Sequence, residues 1–290
     1  MKRILSLVLA FLLVLTAGTP VFAADGSIAR AVVGADLTDD QIASVYQTFG
    51  IPRGSVSELE MTNELERKYL SGSVDESVIG TRSVSCVYVE IRPAGSGLEV
   101  TTSSNITYFT PEMYISALTT AGVKDAKVIV SAPFEVSGTG ALAGIYYAYE
   151  NITGQTMAEL SRDVSTQELT VTGDLAESIG GLDASDIVSD IKTALGATEN
   201  LSDEELRQII IAIASQYNVS LTDGQINELI KLCRSLVSLD EAGLLDKVSG
   251  MKDTYDKVAS AASGVASFFR TVKNIINSIS EFFEKIGSIF

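Results

Sequence analysis

The sequence predicts an α+β fold, in which a mixed sheet with packed helices is followed by an all-helical region and a C-terminal amphipathic helix. Three runs between residues 84 and 134 either alternate apolar and polar residues or are dense in Val and Ile, as strands are. From about residue 165 onward, apolar residues recur at the spacing of one helix face. We expect a signal peptide at 1–23, an α/β domain at 24–160, a helical region at 161–243 and a final helix at 244–290.

The start of the chain has the three-part layout of a secretory signal peptide. Lys2 and Arg3 form a basic start, residues 4–15 are apolar apart from one serine, and residues 21–23 carry small or apolar side chains before a cleavage site. The apolar run is shorter than the roughly 20 residues of a membrane span. We expect cleavage near Ala23 and a mature protein that is secreted or stays on the extracellular side of the cell envelope.

The composition excludes several classes of chemistry. The chain has no histidine and two cysteines, which rules out Ser-His-Asp triads, Cys-His pairs and histidine-ligated metals. Its 21 basic and 37 acidic residues give a net charge of −16, and loss of Lys2 and Arg3 with the signal makes it −18, which argues against nucleic acid. No catalytic residue, metal ligand or cofactor is predicted. Cys86 and Cys233 are expected to be buried free thiols, with a disulfide as the alternative.

Capping signals predict where several helices begin. In the segment 37–42, Thr38 caps the first turn of a helix and Gln41 completes a capping box. The same kind of start recurs at 201–206, at 221–226 and, more weakly, at 182–187. Ser165 with Glu168 predicts a further capping box, at the beginning of the helical region.

The middle of the chain carries the strand signals. Residues 84–92 and 98–109 alternate apolar and polar residues, and the segment 93–97 between them has turn chemistry, which predicts a β-hairpin. A helix over 111–121 follows, because Thr110 can cap it, proline fits its first position and glycine ends it.

A strand at 127–134 and a helix at 140–149 come next, joined by a glycine-rich turn. Glycines at such a junction allow the backbone to approach an anion at a helix N-terminus. The alternative is a tight turn with close packing of the helix on the sheet. We take Ser137, Gly138, Thr139 and Gly140 as candidate ligand-binding residues. Ser137 is disfavoured as a nucleophile, because no histidine is available as its base.

Short motifs between residues 105 and 154 are similar to those of a known family. They include Asn105-Ile106-Thr107-Tyr108, Met113-Tyr114, Thr120-Ala121-Gly122-Val123, Ala132-Pro133-Phe134, Val136-Ser137-Gly138-Thr139 and Ala148-Tyr149-Glu150. With these motifs the chain resembles the YpuA-like family, exported proteins of Gram-positive bacteria that form a domain of unknown function, over roughly residues 30–245. The resemblance implies export and an α/β architecture. It implies no established reaction, so it adds no catalytic residues.

The C-terminal stretch carries a long apolar stripe whose positions are spaced alternately by four and three, a period of about 3.5 residues. The stripe consists of Leu244, Val248, Met251, Tyr255, Val258, Ala262, Val265, Phe269, Val272, Ile276, Ile279, Phe283, Ile286 and Phe290. From Phe268 it widens, because Ile275, Phe282 and Ile289 join it. Our candidate interaction residues are Phe268, Phe269, Ile276, Phe282, Phe283 and Phe290.

Three interpretations of this stretch stay open. It packs on the helical region as ordinary core, it forms a coiled coil with itself or a partner helix, or it lies on a membrane surface. The sequence favours an exported, non-enzymatic envelope protein of unknown activity that uses residues 265–290 to associate with a protein partner or a membrane surface. The alternative is a domain that binds a small ligand or anion at 137–140, and a hydrolase that uses carboxylates is the weakest candidate.

Overall fold

The computed structural model describes residues 28–196 and 201–239 of the chain. The described strands are β1 (Ile28–Gly34), β2 (Ser57–Met61), β3 (Cys86–Ile91), β4 (Leu98–Thr102) and β5 (Ala126–Ser131). The described helices are α1 (Asp39–Phe49), α2 (Asn63–Leu70), α3 (Glu76–Ile79), α4 (Pro111–Ala121), α5 (Thr139–Thr153), α6 (Glu159–Ile179), α7 (Gly181–Gly196), α8 (Asp203–Gln216) and α9 (Asp223–Ser238). The predicted signal peptide and final helix lie outside the described residues.

The strands form one mixed sheet in the order β2-β1-β3-β5-β4. β1 is parallel to β2, β4 is parallel to β5, and β3 is antiparallel to both β1 and β5. The predicted hairpin between 84–92 and 98–109 is therefore wrong, because β5 lies between its two strands. Burial explains this order: β3 and β5 are largely covered on both faces, whereas β4 exposes Glu99 and Thr101 and belongs at an edge.

Helices cover both faces of the sheet. On one face, α1 packs Tyr46 and Phe49 over the strands, with the ring centroids of Phe49 and Tyr88 6.1 Å apart. On the other face, α4 and α5 bury Tyr114 and Tyr146 in the larger core. This sheet with packed helices, followed by helices only, confirms the predicted fold class for the described residues.

The helix starts that rest on complete capping boxes are confirmed. Thr38, Ser202 and Thr222 each accept a hydrogen bond from the backbone N–H three residues later, and the side chain there bonds back. α4 has the predicted bounds, with Thr110 as its cap and Gly122 in the left-handed conformation after its last turn. Local sequence therefore decides these boundaries.

The helix start predicted at Ser165 is wrong, because α6 begins earlier and carries both Ser165 and Glu168 in its interior. The Ser165 hydroxyl donates to the Ala117 carbonyl at 2.6 Å, and the Glu168 carboxylate accepts from Lys192 at 2.7 Å. The two side chains that resemble a capping box in the sequence make tertiary contacts instead.

The helical layer has a core of its own. α7, α8 and α9 pack together with part of α6 around residues such as Ile187, Ile210 and Leu229. α6 belongs to both cores, because its Leu169 lies in the sheet core whereas Leu175 lies in the helical core. Among the described helices, none has the length and hydropathy that a membrane crossing requires.

The two cysteines are buried and free, as expected. Cys86 lies in the smaller core between the sheet and α1, and Cys233 lies in the helical core. Burial raises the pKa of each thiol to about 12, which keeps both thiols protonated near neutral pH. Both thiols contribute to the apolar packing of these cores.

Candidate functional site

A group of polar side chains that could form a binding site lies at one end of the sheet, where the carboxyl ends of several strands meet; this end is called the carboxyl edge. β1, β2, β4 and β5 run in the same direction, so that their carboxyl ends meet at this edge, where β3 begins. Ligands of open α/β sheets bind at the carboxyl ends of strands. The segments at this edge bring Asp36, Glu66 and Ser83 close to the turn 137–140.

The four candidate residues of the turn come together at the entry to α5. Gly138 precedes the helix with a φ of 100°, in the left-handed region, and provides no side-chain cap. Ser137 is exposed, and its hydroxyl oxygen lies 3.5 Å from the backbone nitrogen of Thr139 and 3.3 Å from the Thr139 hydroxyl. Backbone amides at a helix N-terminus attract negative charge. Ligand binding by Ser137, Gly138, Thr139 and Gly140 stays a prediction.

The side chains of Tyr114 and Glu66 fill the space next to Gly138 and Gly140. A Cβ on Gly138 would lie 2.5 Å from the hydroxyl oxygen of Tyr114, which donates to the Gly138 carbonyl at 2.7 Å. A Cβ on Gly140 would collide with the carboxyl group of Glu66. Close packing therefore accounts for both glycines without a ligand.

Glu66 is a buried, ionisable residue at this edge that the sequence does not single out as a candidate. Its side chain is 2% exposed, accepts a hydrogen bond from the Ser83 hydroxyl at 2.8 Å and accepts another from the Asn63 amide at 3.3 Å. Burial raises the pKa of the Glu66 carboxyl, and the negative charge of Asp36 raises it further, against the lowering by the two hydrogen bonds. Asp36 itself accepts from the backbone N–H of Ser83 at 2.7 Å.

The carboxyl groups of Asp36 and Glu66 thus both accept hydrogen bonds from Ser83, and that of Glu66 also lies against the first turn of α5. An anion bound at Ser137 would share this region with Glu66, and ionisation of Glu66 would oppose its binding. Among residues 28–196 and 201–239, no group of three or more Asp, Glu, Cys or His side chains could hold a metal ion.

The sequence did contain a signal for the burial of Glu66. Glu66, Tyr69 and Leu70 stand at the spacing of one helix face, and all three are buried. An acidic residue on an otherwise buried face indicates a carboxyl group that contacts other parts of the fold.

A second polar cluster lies between α4, α6 and α7. The ammonium nitrogen of Lys192 is 3.1 Å from the Ser116 hydroxyl oxygen and 2.7 Å from a carboxylate oxygen of Glu168. A serine beside a lysine is the arrangement of Ser-Lys hydrolases. Ser116 is only 7% exposed and Lys192 only 2%, so a substrate cannot contact them in this conformation. Burial lowers the pKa of the Lys192 amine, and Glu168 opposes that shift.

The candidate interaction residues lie outside the described residues. They are Phe268, Phe269, Ile276, Phe282, Phe283 and Phe290. Their role stays a prediction from the apolar stripe.

Comparison with known proteins identifies relatives of unknown function. A family model described as "Protein of unknown function (DUF1002)" matches residues 33–254. The chain is also similar to "Uncharacterized protein YpuA" of Bacillus subtilis (strain 168), with 36% identity over 293 residues that cover 99% of this chain and 97% of the relative. No solved structure matches the chain. The alignment with the relative therefore extends through the C-terminal stretch, whereas the family model ends at residue 254.

Proposed function

Because this chain belongs to the DUF1002 family of proteins of unknown function, membership brings no reaction with it, and we propose that it acts as an exported, non-enzymatic binding protein of the cell envelope. The stretch 265–290 is the binding element. Its target is a protein partner or the membrane surface.

The observation that carries this proposal is the apolar stripe of the C-terminal stretch. The stripe continues to Phe290 and widens from Phe268 onward, where phenylalanine and isoleucine dominate it. A broad aromatic face suits a lipid or protein surface better than the narrow seam of a two-stranded coiled coil. The basic residues of the stretch 265–290 are Arg270, Lys273 and Lys285. Because these are few, apolar contact supplies most of the attraction between the stretch and its target.

The described residues support binding over catalysis. The polar clusters around Glu66 and Lys192, in which burial shifts the pKa of a carboxyl or amine group, are almost completely buried. Their polar atoms contact each other and neighbouring residues of the same chain, as structural clusters do. Perturbed pKa values at these positions therefore have a structural explanation.

Similarity to the Bacillus subtilis relative also supports a role for the C-terminal stretch. The alignment leaves out about 1% of the chain, so the relative has a counterpart for nearly all of residues 244–290. A segment of this length that both proteins carry is expected to contribute to a shared property.

The proposal is tested by fractionating cells that express the full-length protein or a version that ends at Gly264. We expect the full-length protein in the envelope fraction and the shortened protein in the medium, because only the full-length protein carries the wide part of the stripe. Equal distribution of the two proteins contradicts the proposal.

Thermal unfolding of the two purified proteins serves as the control. If residues 265–290 bind a separate target, the shortened protein keeps the melting temperature of the full-length protein. A large drop in melting temperature instead indicates that the stretch is part of the core, which also contradicts the proposal.

The second candidate function is binding of a small anion at the turn 137–140. The exposed Ser137 hydroxyl beside the first amide of α5 favours it. Inorganic phosphate should then raise the melting temperature of the wild type, because a ligand that binds only the folded state stabilises it. Ser137→Ala should weaken this effect. No shift with phosphate, or equal shifts in both proteins, contradicts this candidate.

A further inference from the structure

A groove runs along the exposed side of the helical layer, between α8 and α9. Its volume is about 360 Å³, and it is lined by Asp203, Glu204, Arg207, Asn227, Ile230 and Lys231. Ile230 is the apolar residue of this lining and is 8% exposed. The other lining residues are polar or charged, with both signs present, so that the groove offers apolar contact between charged walls.

Two exposed apolar side chains extend the groove. Ile211 stands four residues after Arg207 on α8, and Val237 stands seven residues after Ile230 on α9, so that each lies on the helix face that lines the groove. Each of the two is 40% exposed. A short loop joins α8 to α9 and makes them antiparallel, so that Ile211 and Val237 lie toward opposite ends of the groove.

The chain leaves the described residues beside this groove. Arg234 of α9 donates to the carboxylate of Asp203 in the groove lining at 2.5 Å, and α9 ends one turn later. Residues 239–243 then precede Leu244, the first position of the apolar stripe. Helices joined by so short a connection are usually antiparallel neighbours. The segment that begins at Leu244 is therefore expected to run back along α9.

The first part of the stripe fits the groove in length and in chemistry. A helix from Leu244 to Tyr255 is about 16 Å long, close to the roughly 15 Å from Asn227 to Val237 along α9. Its apolar positions are Leu244, Val248, Met251 and Tyr255. Three Asp and three Lys residues lie within 246–257, and the groove walls carry both signs as well. Exposed ion pairs contribute little, so that apolar contact supplies most of the attraction.

The extent of the family model supports a division of the stripe into two parts. The model ends at residue 254, so that it includes the positions from Leu244 to Met251 and leaves out 265–290. The first part of the stripe therefore belongs to the portion of the chain that the family shares, as a segment packed on the domain would.

We propose that residues 244–258 dock in the groove between α8 and α9 of the same chain and cover Ile211 and Val237. The first part of the stripe then completes the helical layer, and the second part, 265–290, stays free for a target. The docking does not depend on what 265–290 bind.

Labelling of an introduced thiol in the purified full-length protein tests whether the segment covers the groove. Cys86 and Cys233 are each 1% exposed, so that they stay unlabelled while the chain is folded. The matched control is Leu160→Cys on α6, because Leu160 is 48% exposed and does not line the groove. A maleimide should react about tenfold more slowly with Ile211→Cys than with this control, because the docked segment covers the thiol.

Substitutions in the segment complete the test. Met251→Asp/Tyr255→Asp places two charges on the stripe and should raise the labelling rate of Ile211→Cys to that of the control. Ser249→Asp/Ser260→Asp adds the same charges on the opposite side of the predicted helix and should leave the labelling slow. Mass spectrometry detects unfolding, because both native thiols then react as well.

Equal labelling rates of Ile211→Cys and Leu160→Cys in the otherwise unchanged chain overturn the proposal. Slow labelling that persists in Met251→Asp/Tyr255→Asp also overturns it, because another part of the chain then covers the groove. Slow labelling that becomes fast on dilution does the same, because a second copy of the chain is then the occupant. If Met251→Asp/Tyr255→Asp does not fold, the comparison in the unchanged segment decides. Fractionation of cells tests the proposed function separately, since labelling requires no envelope.

Discussion

At the scale of single residues, the entry to α5 shows how one missing side chain permits a buried carboxyl group. Gly140 leaves the space that the Glu66 carboxyl occupies, and Glu66 in turn holds Ser83 and Asn63. A larger residue at position 140 must displace Glu66 from both partners. The space at this glycine is therefore structural, whether or not Ser137 contacts a ligand.

Gly140→Ala should lower the free energy of unfolding by about 1–3 kcal/mol, because the new methyl group displaces a buried, hydrogen-bonded carboxyl group. The matched control is Gly224→Ala in the first turn of α9, where a Cβ would meet only the Thr222 hydroxyl at 3.8 Å. The control should be neutral or stabilise by up to about 1 kcal/mol. Urea denaturation measures both. Equal effects of the two substitutions would show that Glu66 does not restrict position 140.

Contacts of this kind are difficult to predict from the sequence. Ser83 and Glu66 are 17 residues apart, and Ser116 and Lys192 are 76 apart. A single sequence contains no local pattern that pairs such positions. The burial of Glu66 is predictable from the sequence, because its helical spacing with Tyr69 and Leu70 places it on a buried face.

At the scale of elements, local signals predicted the helices well and the strand pairing poorly. Thr38, Ser202 and Thr222 mark helix starts because a cap depends on neighbouring residues alone. β1 and β2 were missed, since Arg30 breaks the apolar pattern of one and the other is a polar edge strand. The order of the strands depends on long-range pairing, which the apparent turn at 93–97 does not reveal.

The contact between α7 and the end of α8 gives stability a pH dependence. Asp190 accepts a hydrogen bond from the Tyr217 hydroxyl at 2.5 Å. Burial raises the pKa of Asp190 from 3.8 to about 7, and the charge of Asp186 one turn earlier adds to this against the hydrogen bond. As the pH rises, the unfolded state therefore releases the Asp190 proton before the folded state does. This contribution to stability is complete below pH 3.8 and is lost as the pH rises through about 7.

Asp190→Asn should remove this dependence, because asparagine can accept from Tyr217 and carries no charge. Between pH 5 and pH 8 the wild type should lose about 2 kcal/mol more of its free energy of unfolding than the variant does. Chemical denaturation at a series of pH values measures the difference. Parallel pH profiles for the two proteins would contradict the assignment of this pH dependence to Asp190.

At the scale of the whole molecule, α6 joins two of the three apolar cores that the described residues form. This helix contributes side chains to the sheet core and to the helical core, and its Glu168 belongs to the Lys192 cluster. The fold class followed from strand and helix periodicity, which reports burial on one face of each element. Function did not follow in the same way, because the polar clusters around Glu66 and Lys192 are almost completely buried and the apolar stripe at 244–290 lies outside the described residues.

The central claim, that residues 265–290 bind the cell envelope or a partner there, is tested most directly by the fraction of protein that stays with the envelope. Phe269→Asp/Phe283→Asp places two charges in the stripe, and Ser267→Asp/Ser280→Asp adds the same charges off it. Loss of two buried phenylalanines weakens binding by about 3 kcal/mol or more, which is roughly 100-fold in affinity. We predict that the stripe variant is released into the medium and that the serine variant is retained like the wild type. Retention of the stripe variant at the wild-type level would contradict the claim.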